Sequence, residues 1–290
     1  MRLAGAFIFI LAVLFIGALP VPLLYGLSNF FRFIIYRIIG YRKEVVKKNL
    51  KSSLPGIPDN ELKRLTHLYY KNMADILTEG IWSFTISRKQ LLKRYQIINP
   101  EIIESFSGSG QSIIGVTGHY ANWEWGSLLS GLQTDFNVIA FYKPINNKYI
   151  DKFVRWSRSR FGTTLASINE TSLTFEKSND IKTLFLMVAD QGMPKEFSTK
   201  AFWIQFLNHD TPFLYGLEKH ARLNNLPVVY INVQRVRRGY YTVELSVLTA
   251  KPLELKEGAL TEMYARKLES VILKQPENWL WSHNRFRLTR

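Results

Sequence analysis

His119 and Glu124, in the stretch Gly118-His119-Tyr120-Ala121-Asn122-Trp123-Glu124, are the residue types of a proton-transfer pair. An imidazole can take a proton from an alcohol near neutral pH, and a carboxylate beside it fixes one tautomer and stabilises the imidazolium that forms. That chemistry suits transfer of an acyl group to a hydroxyl. Five steps of about 100° put the two side chains on different faces of a regular helix, so the pair belongs on a turn or a helix start. The plainer reading is a loop histidine and glutamate that cap a helix, since so short a spacing also arises by chance.

The elements around the pair follow from apolar patterning. Residues 112–116 read as a short buried strand, Thr117-Gly118 as the break after it, and Ala121 onward as a helix through Leu129. In open α/β sheets reactive groups collect at the carboxyl ends of strands, where this places His119. Asp190-Gln191-Gly192 follows a second apolar run, 184–189, and can line the same cleft; a turn or cap is the alternative. Further strands are expected at 137–141, 183–188, 227–232 and 241–248, between helices near 149–160, 214–224 and 257–274. A helix starting at Asp59 carries Leu62, Leu65, Tyr69, Met73, Ile76 and Leu77 at core spacing. The alternation predicts one α/β domain over residues 29–290, with no repeat or linker marking a second.

Ahead of that domain, residues 3–31 carry no charge. About 20 helical residues cross a hydrocarbon core of about 30 Å, so residues 1–28 are expected to be a transmembrane helix acting as an uncleaved membrane anchor. Pro20 and Pro22 would end or kink it, giving a span followed by an interfacial piece. Arg32, Arg37, Arg42, Lys43, Lys47, Lys48 and Lys51 follow, opposed by Glu44 alone, which places the domain on the cytoplasmic side of the inner membrane. Phe33, Ile34, Ile35, Ile38 and Ile39 with Arg32 and Arg37 read equally well as a helix at the lipid headgroups or as one packed on its own domain.

The 290 residues carry a net charge of +15 and no cysteine, which excludes disulfides and thiolate chemistry. Such a charge fits nucleic acid, anionic lipid or an acidic protein. No zinc-finger, RNP or helix-turn-helix pattern occurs, so lipid phosphates and an acidic protein are the better partners. His67, His209, His220 and His283 lack metal-ligand spacing, and no metal site is expected. Ser107-Gly108-Ser109-Gly110 does not provide the G-x-S-x-G frame of a serine hydrolase. Arg158 and Arg160, with Arg155 nearby, offer forks for phosphate oxygens, or simply a solvated helix face. Residues 277–287 interleave aromatics and arginines, as at a lipid interface or around an anionic ligand.

Taken in order, these elements resemble the lipid A biosynthesis acyltransferases, the lauroyl and myristoyl transferases. The resemblance covers nearly the whole chain. It rests on the apolar amino terminus, the basic stretch from Tyr41-Arg42 to Leu50, Gly118-His119 to Glu124, Tyr142-Lys143-Pro144, Arg158-Ser159-Arg160-Phe161-Gly162, Asp190-Gln191 and Pro276 through Arg287. It implies a domain with a central mixed sheet flanked by helices. It also implies His119 as general base with Glu124 as its orienting partner, no cofactor, and a hydroxyl of a phosphorylated glycolipid, a lipid A precursor, as acceptor. Acyl carrier protein is the implied thioester donor, with acyl coenzyme A as the variant. Arg158 and Arg160, with Asn122, Asp190 and Gln191, form the expected substrate-binding set. Lys143 stands where arginine is common, and His283-Asn284-Arg285-Phe286-Arg287 departs from the usual terminal pattern, which leaves an aminolipid or another glycolipid as alternative acceptors. From a different class, a noncatalytic membrane-anchored module binding anionic lipid or an acidic protein would need the basic residues but not His119.

Overall fold

Proline and glycine breaks divide the chain into short elements whose order is visible in a computed structural model that describes residues 2–178, 180–193, 195–196 and 201–288. The amino-terminal part is helical: α1 (Arg2–Gly17), α2 (Val21–Phe33) running into a π-helical turn at Ile34–Ile38, α3 (Lys43–Ser53), α4 (Asp59–Trp82) and α5 (Arg88–Arg94). Strands and helices then alternate: β1 (Tyr95–Ile97), α6 (Glu101–Gly108), β2 (Ile113–Thr117), α7 (Trp123–Gln133), β3 (Asn137–Tyr142), α8 (Lys148–Ser159), β4 (Thr163–Ser167), α9 (Thr171–Lys177) and β5 (Thr183–Val188). The chain continues through β6 (Ala201–Phe206), β7 (His209–Leu214), α10 (Gly216–Leu223), β8 (Val228–Arg237), β9 (Tyr240–Thr249) and α11 (Ala259–Lys274).

Seven strands form one mixed sheet in the order β1-β9-β8-β2-β5-β3-β4, and β6 and β7 pair as a separate antiparallel hairpin. Only β8 and β9 run antiparallel within the large sheet. β2 lies inside it, parallel to both β5 and β8, and Ile113, Ile114 and Val116 are fully buried. A strand covered on both faces reads as a continuous apolar run rather than an alternation, which is why the sequence betrays it. The α/β architecture with a central mixed sheet therefore agrees with expectation. β1, β4 and the β6–β7 hairpin were not anticipated, because runs of three to six residues with mixed polarity carry little periodic signal.

The expected transmembrane helix has no counterpart among the described residues. Pro20 takes an extended backbone, φ −55° and ψ 143°, and ends the first helix before a new one starts at Val21. α1 has 16 residues, about 24 Å at 1.5 Å per residue, short of the hydrocarbon core. Among the described residues no helix is long and apolar enough to cross a membrane. α2 is instead fastened to α4: Tyr25 donates to Glu79 at 2.8 Å and buried Ser28 donates to Asp75 at 2.6 Å. Thr85 donates to the Gly17 carbonyl at the end of α1. Leu3, Phe7, Ile8, Leu11 and Phe15 remain exposed on the other side of α1.

Asp75 is the charge that seats this helical layer on the sheet. Fully buried, it accepts from Ser28, from Arg235 of β8 at 2.6 Å and from Arg238 of the β8–β9 turn at 2.8 Å. Removing one partner from such a cluster strands the others in a low dielectric. Asp75→Ala is expected to lower the unfolding free energy by about 3–5 kcal/mol in urea titrations. A loss below about 1 kcal/mol would mean that the two arginines find water when the carboxylate is gone.

Candidate active site

Parallel pairing decides which residues meet at the carboxyl end of β2. Thr117 lies opposite Val188, and continuing that register by two residues sets His119 against Asp190. Their contact is close and double: the His119 amide donates to Asp190 Oδ2 at 2.8 Å, and Nδ1 lies 2.6 Å from Oδ1. Trp279 donates from Nε1 to Oδ2 at 2.8 Å. Gly118 has no side chain because a Cβ there would meet Leu268 at 2.8 Å and Asp190 Oδ2 at 3.1 Å.

Burial opposes charge on either partner, but the pair overrides it. Desolvation alone would raise the Asp190 carboxyl; the His119 charge and the bonds from His119 and Trp279 pull it down to about 2. Desolvation likewise lowers His119, yet the Asp190 charge, its hydrogen bond and the more remote Glu124 charge bring the imidazole above its ordinary 6.5. With Asp190 ionised, Nδ1 carries the donated hydrogen and Nε2 of the neutral ring keeps a lone pair. Gln191 Nε2 sits 2.8 Å from that nitrogen, and Trp123 packs edge-on against the ring at 5.1 Å.

Glu124 lies elsewhere than the four-residue spacing implied. It stands in the first turn of α7, where Arg158 of α8 grips it with Nε at 3.1 Å and Nη2 at 2.7 and 2.8 Å. Both side chains are about 28% exposed and line the same cavity. Asn122 is fully buried as the cap of α7: Oδ1 accepts from the Trp125 amide at 3.1 Å and Nδ2 donates to Glu79 at 2.7 Å. Arg160 points away, its Nη2 donating to the carbonyls of Ser83 and Ile86. Of the expected set, His119, Asp190 and Gln191 are in line, Glu124 and Arg158 form a second pair, and Asn122 and Arg160 support the scaffold.

The loop between β2 and α7 is held from outside. Ala121 adopts φ +50°, a left-handed conformation costing a non-glycine residue about 1–2 kcal/mol. Its amide bonds the Asn278 carbonyl at 2.9 Å, and the His119 carbonyl accepts from Leu280 at 3.1 Å. Residues 276–287 therefore form a strap over the site rather than an exposed aromatic surface: Trp279, Trp281 and Arg285 are at most 2% exposed. Arg42 and Asn49 fasten the strap through Ser282, Trp281 and His283 carbonyls. The sequence singled out Asp190 but not its role, and it gave no role to Glu79 or Trp279. The signal for Asp190 is positional, since each of two apolar runs is followed two residues beyond its strand by a polar group.

Beside this centre lies a cavity of about 720 Å³, within the range that holds small molecules. Glu124, Arg158 and Asn278 line its polar part, and Phe9, Ile35, Met73, Ile76, Leu77 and Val154 its apolar part. Among the described residues no group of three His, Cys, Asp or Glu could hold a metal ion.

Residues 1–288 match the family model described as bacterial lipid A biosynthesis acyltransferase. The chain is also similar to a lipid A biosynthesis lauroyltransferase of Escherichia coli (strain K12), with 21% identity over 271 residues, 93% of this chain and 87% of that protein.

The imidazole titration provides a direct check. His119 charges more readily folded than unfolded, so its pairing with Asp190 stabilises fully below about 6.5 and fades as pH rises through the elevated midpoint. Asp190 is depressed, so its share is present above about 4 and fades as pH falls toward about 2. NMR of the His119 ring should give a midpoint above 6.5 in the wild type, and below it in Asp190→Asn, where desolvation is opposed only by the more remote Glu124 charge. An unchanged midpoint would assign the elevation to another charge.

Proposed function

The chain belongs to the bacterial lipid A biosynthesis acyltransferases, and from that premise we propose that it moves a fatty acyl group from an acyl carrier protein thioester to a hydroxyl of a phosphorylated lipid A precursor. The observation that carries this reading is the line Asp190–His119–Gln191, which aims a buried, carboxylate-backed imidazole nitrogen at a polar group beside an apolar cavity.

The acceptor hydroxyl displaces the Gln191 amide and gives its proton to Nε2 as its oxygen attacks the thioester carbonyl. Asp190 stabilises the imidazolium through Nδ1 and holds the tautomer. The tetrahedral adduct collapses by breaking the C–S bond, and the imidazolium returns its proton to the departing thiolate. No acyl-enzyme forms and no cofactor takes part. The freed Gln191 amide supplies N–H donors at the reacting centre. Glu124 raises the proton affinity of His119 from a distance and holds Arg158 at the cavity wall, where its fork binds an acceptor phosphate after exchanging partners.

The surface fits the same reading. A net charge of +15 draws an acidic carrier protein and anionic lipid. The exposed apolar face of α1 and the outward Phe30, Phe33, Ile38 and Ile39 beside Arg32 and Arg37 lie in the interface of the cytoplasmic leaflet rather than across it.

Mass spectrometry of reactions containing purified protein, acyl carrier protein charged with fatty acid, and a lipid A precursor tests the assignment. His119→Ala should lower kcat/KM by about 10²- to 10⁴-fold while leaving the unfolding midpoint in place. A folded wild type that gives no product would remove lipid A precursor as the acceptor. Arg158→Lys, which keeps the charge but loses the fork, should raise KM for the phosphorylated acceptor more than it changes kcat. A fall in kcat alone would place Arg158 on the reacting atoms instead.

A further inference from the structure

Gly80 lies in the last turn and a half of α4, a place where glycine is unfavourable for a helix relative to alanine. Close packing explains some helical glycines. At Gly131 in α7 a Cβ would meet the Phe161 carbonyl oxygen at 2.3 Å, so nothing larger fits there. Gly80 is different, because a Cβ at that position meets no atom within 4 Å. Its backbone φ is not left-handed either. Neither sterics nor conformation requires glycine here.

What Gly80 does face is the apolar cavity. Met73, Ile76, Leu77, Gly80 and Phe84 follow three- and four-residue spacing along one side of α4 and its exit, and all five line that space. Gly80 is the gap in an otherwise bulky stripe. Val154 of α8 and Phe9 of α1 add to the apolar walls, and Glu124 and Arg158 line the same cavity. A missing side chain in such a wall adds room for a hydrocarbon chain and for little else.

We propose that Gly80 sets the length of the fatty acyl chain accepted from the donor, by leaving open a part of the cavity that any larger residue would fill. The proposal rests on the acyl-transfer reading for its substrate, but its geometry concerns occupancy of the cavity by hydrocarbon. A side chain at this position occupies cavity space that is open in the wild type. Gly80→Leu, introducing four carbons, should shift the preferred chain by about two to four carbons toward shorter ones, with Gly80→Ala shifting it less. Alanine at this position should also raise the unfolding midpoint, since it is the better helix former and meets no neighbour.

Two measurements on the full chain test this. In the first, thermal unfolding is followed with free fatty acids of about ten to eighteen carbons, for wild type, Gly80→Ala and Gly80→Leu; the length giving the largest stabilisation should shorten in that order. In the second, carrier protein loaded with the same lengths competes for one acceptor, and the ratio of products for long against short donors should fall about tenfold or more in Gly80→Leu while the short-donor rate persists. A fixed length optimum in the binding series, or equal loss at every length, overturns the proposal. Unchanged donor selection with altered selection among acceptors of different chain length also overturns it, assigning the space to acceptor hydrocarbon. If wild type transfers no chain at all, the proposed reaction fails, and the binding series still decides whether Gly80 limits the hydrocarbon held.

Discussion

A carboxylate with essentially no access to water has to be surrounded by donors, and Asp190 imposes that requirement on the whole candidate site. Isolated, it would cost several kcal/mol and take up a proton. Its three donors come from two places, the amide and ring of His119 and the indole of Trp279, so satisfying one charge fixes the loop after β2 and the strap after α11 together. The same carboxylate then decides the chemistry: it selects the Nδ1–H tautomer and raises the basicity of the nitrogen on the far side of the ring. Structural satisfaction and the raised basicity of His119 are thus one interaction here.

A second buried carboxylate plays the corresponding part behind the loop. Glu79 accepts from Tyr25 of α2, Tyr241 of β9 and Asn122, so it connects the amino-terminal helices, the sheet and the cap of α7. That anchor orients Asn122, whose other side-chain atom caps α7 next to the left-handed Ala121. The amino-terminal helices and the loop of His119 therefore share a buried polar layer through α4, which also supplies Asp75 to the arginines of β8 and its turn.

How much of this was legible in the sequence depends on the range of the interaction. β2 and β5 announce themselves as apolar runs because both faces are covered, and His119 follows the first as expected. The partner of His119 was misread because local spacing favours Glu124, five residues on, whereas sheet register supplies Asp190, 71 residues on. Register between parallel strands is set by packing and crossover helices, neither of which a linear pattern displays. Glu124 finds Arg158 for the same reason, once α8 is laid beside α7. At the amino terminus the apolar composition and the break at Pro20 were legible, but the fastening of the second piece to α4 was not. Tyr25 and Ser28 spend their hydroxyls on buried carboxylates, a use that hydropathy cannot register.

The strap also bears on the order in which the molecule comes into being. The loop of His119 is closed by backbone bonds to Asn278 and Leu280, separated from it by about 160 residues of chain, and loops of that size are entropically late to close. A chain emerging from the ribosome can pair β2 with β5 long before the strap exists. Asp190 then lacks one donor and Ala121 has nothing to hold its unfavourable backbone. The pocket of Asp190 is therefore completed only once residues 276–287 have been made, so that a chain cut before them can build most of its sheet and still leave that carboxylate short of a donor.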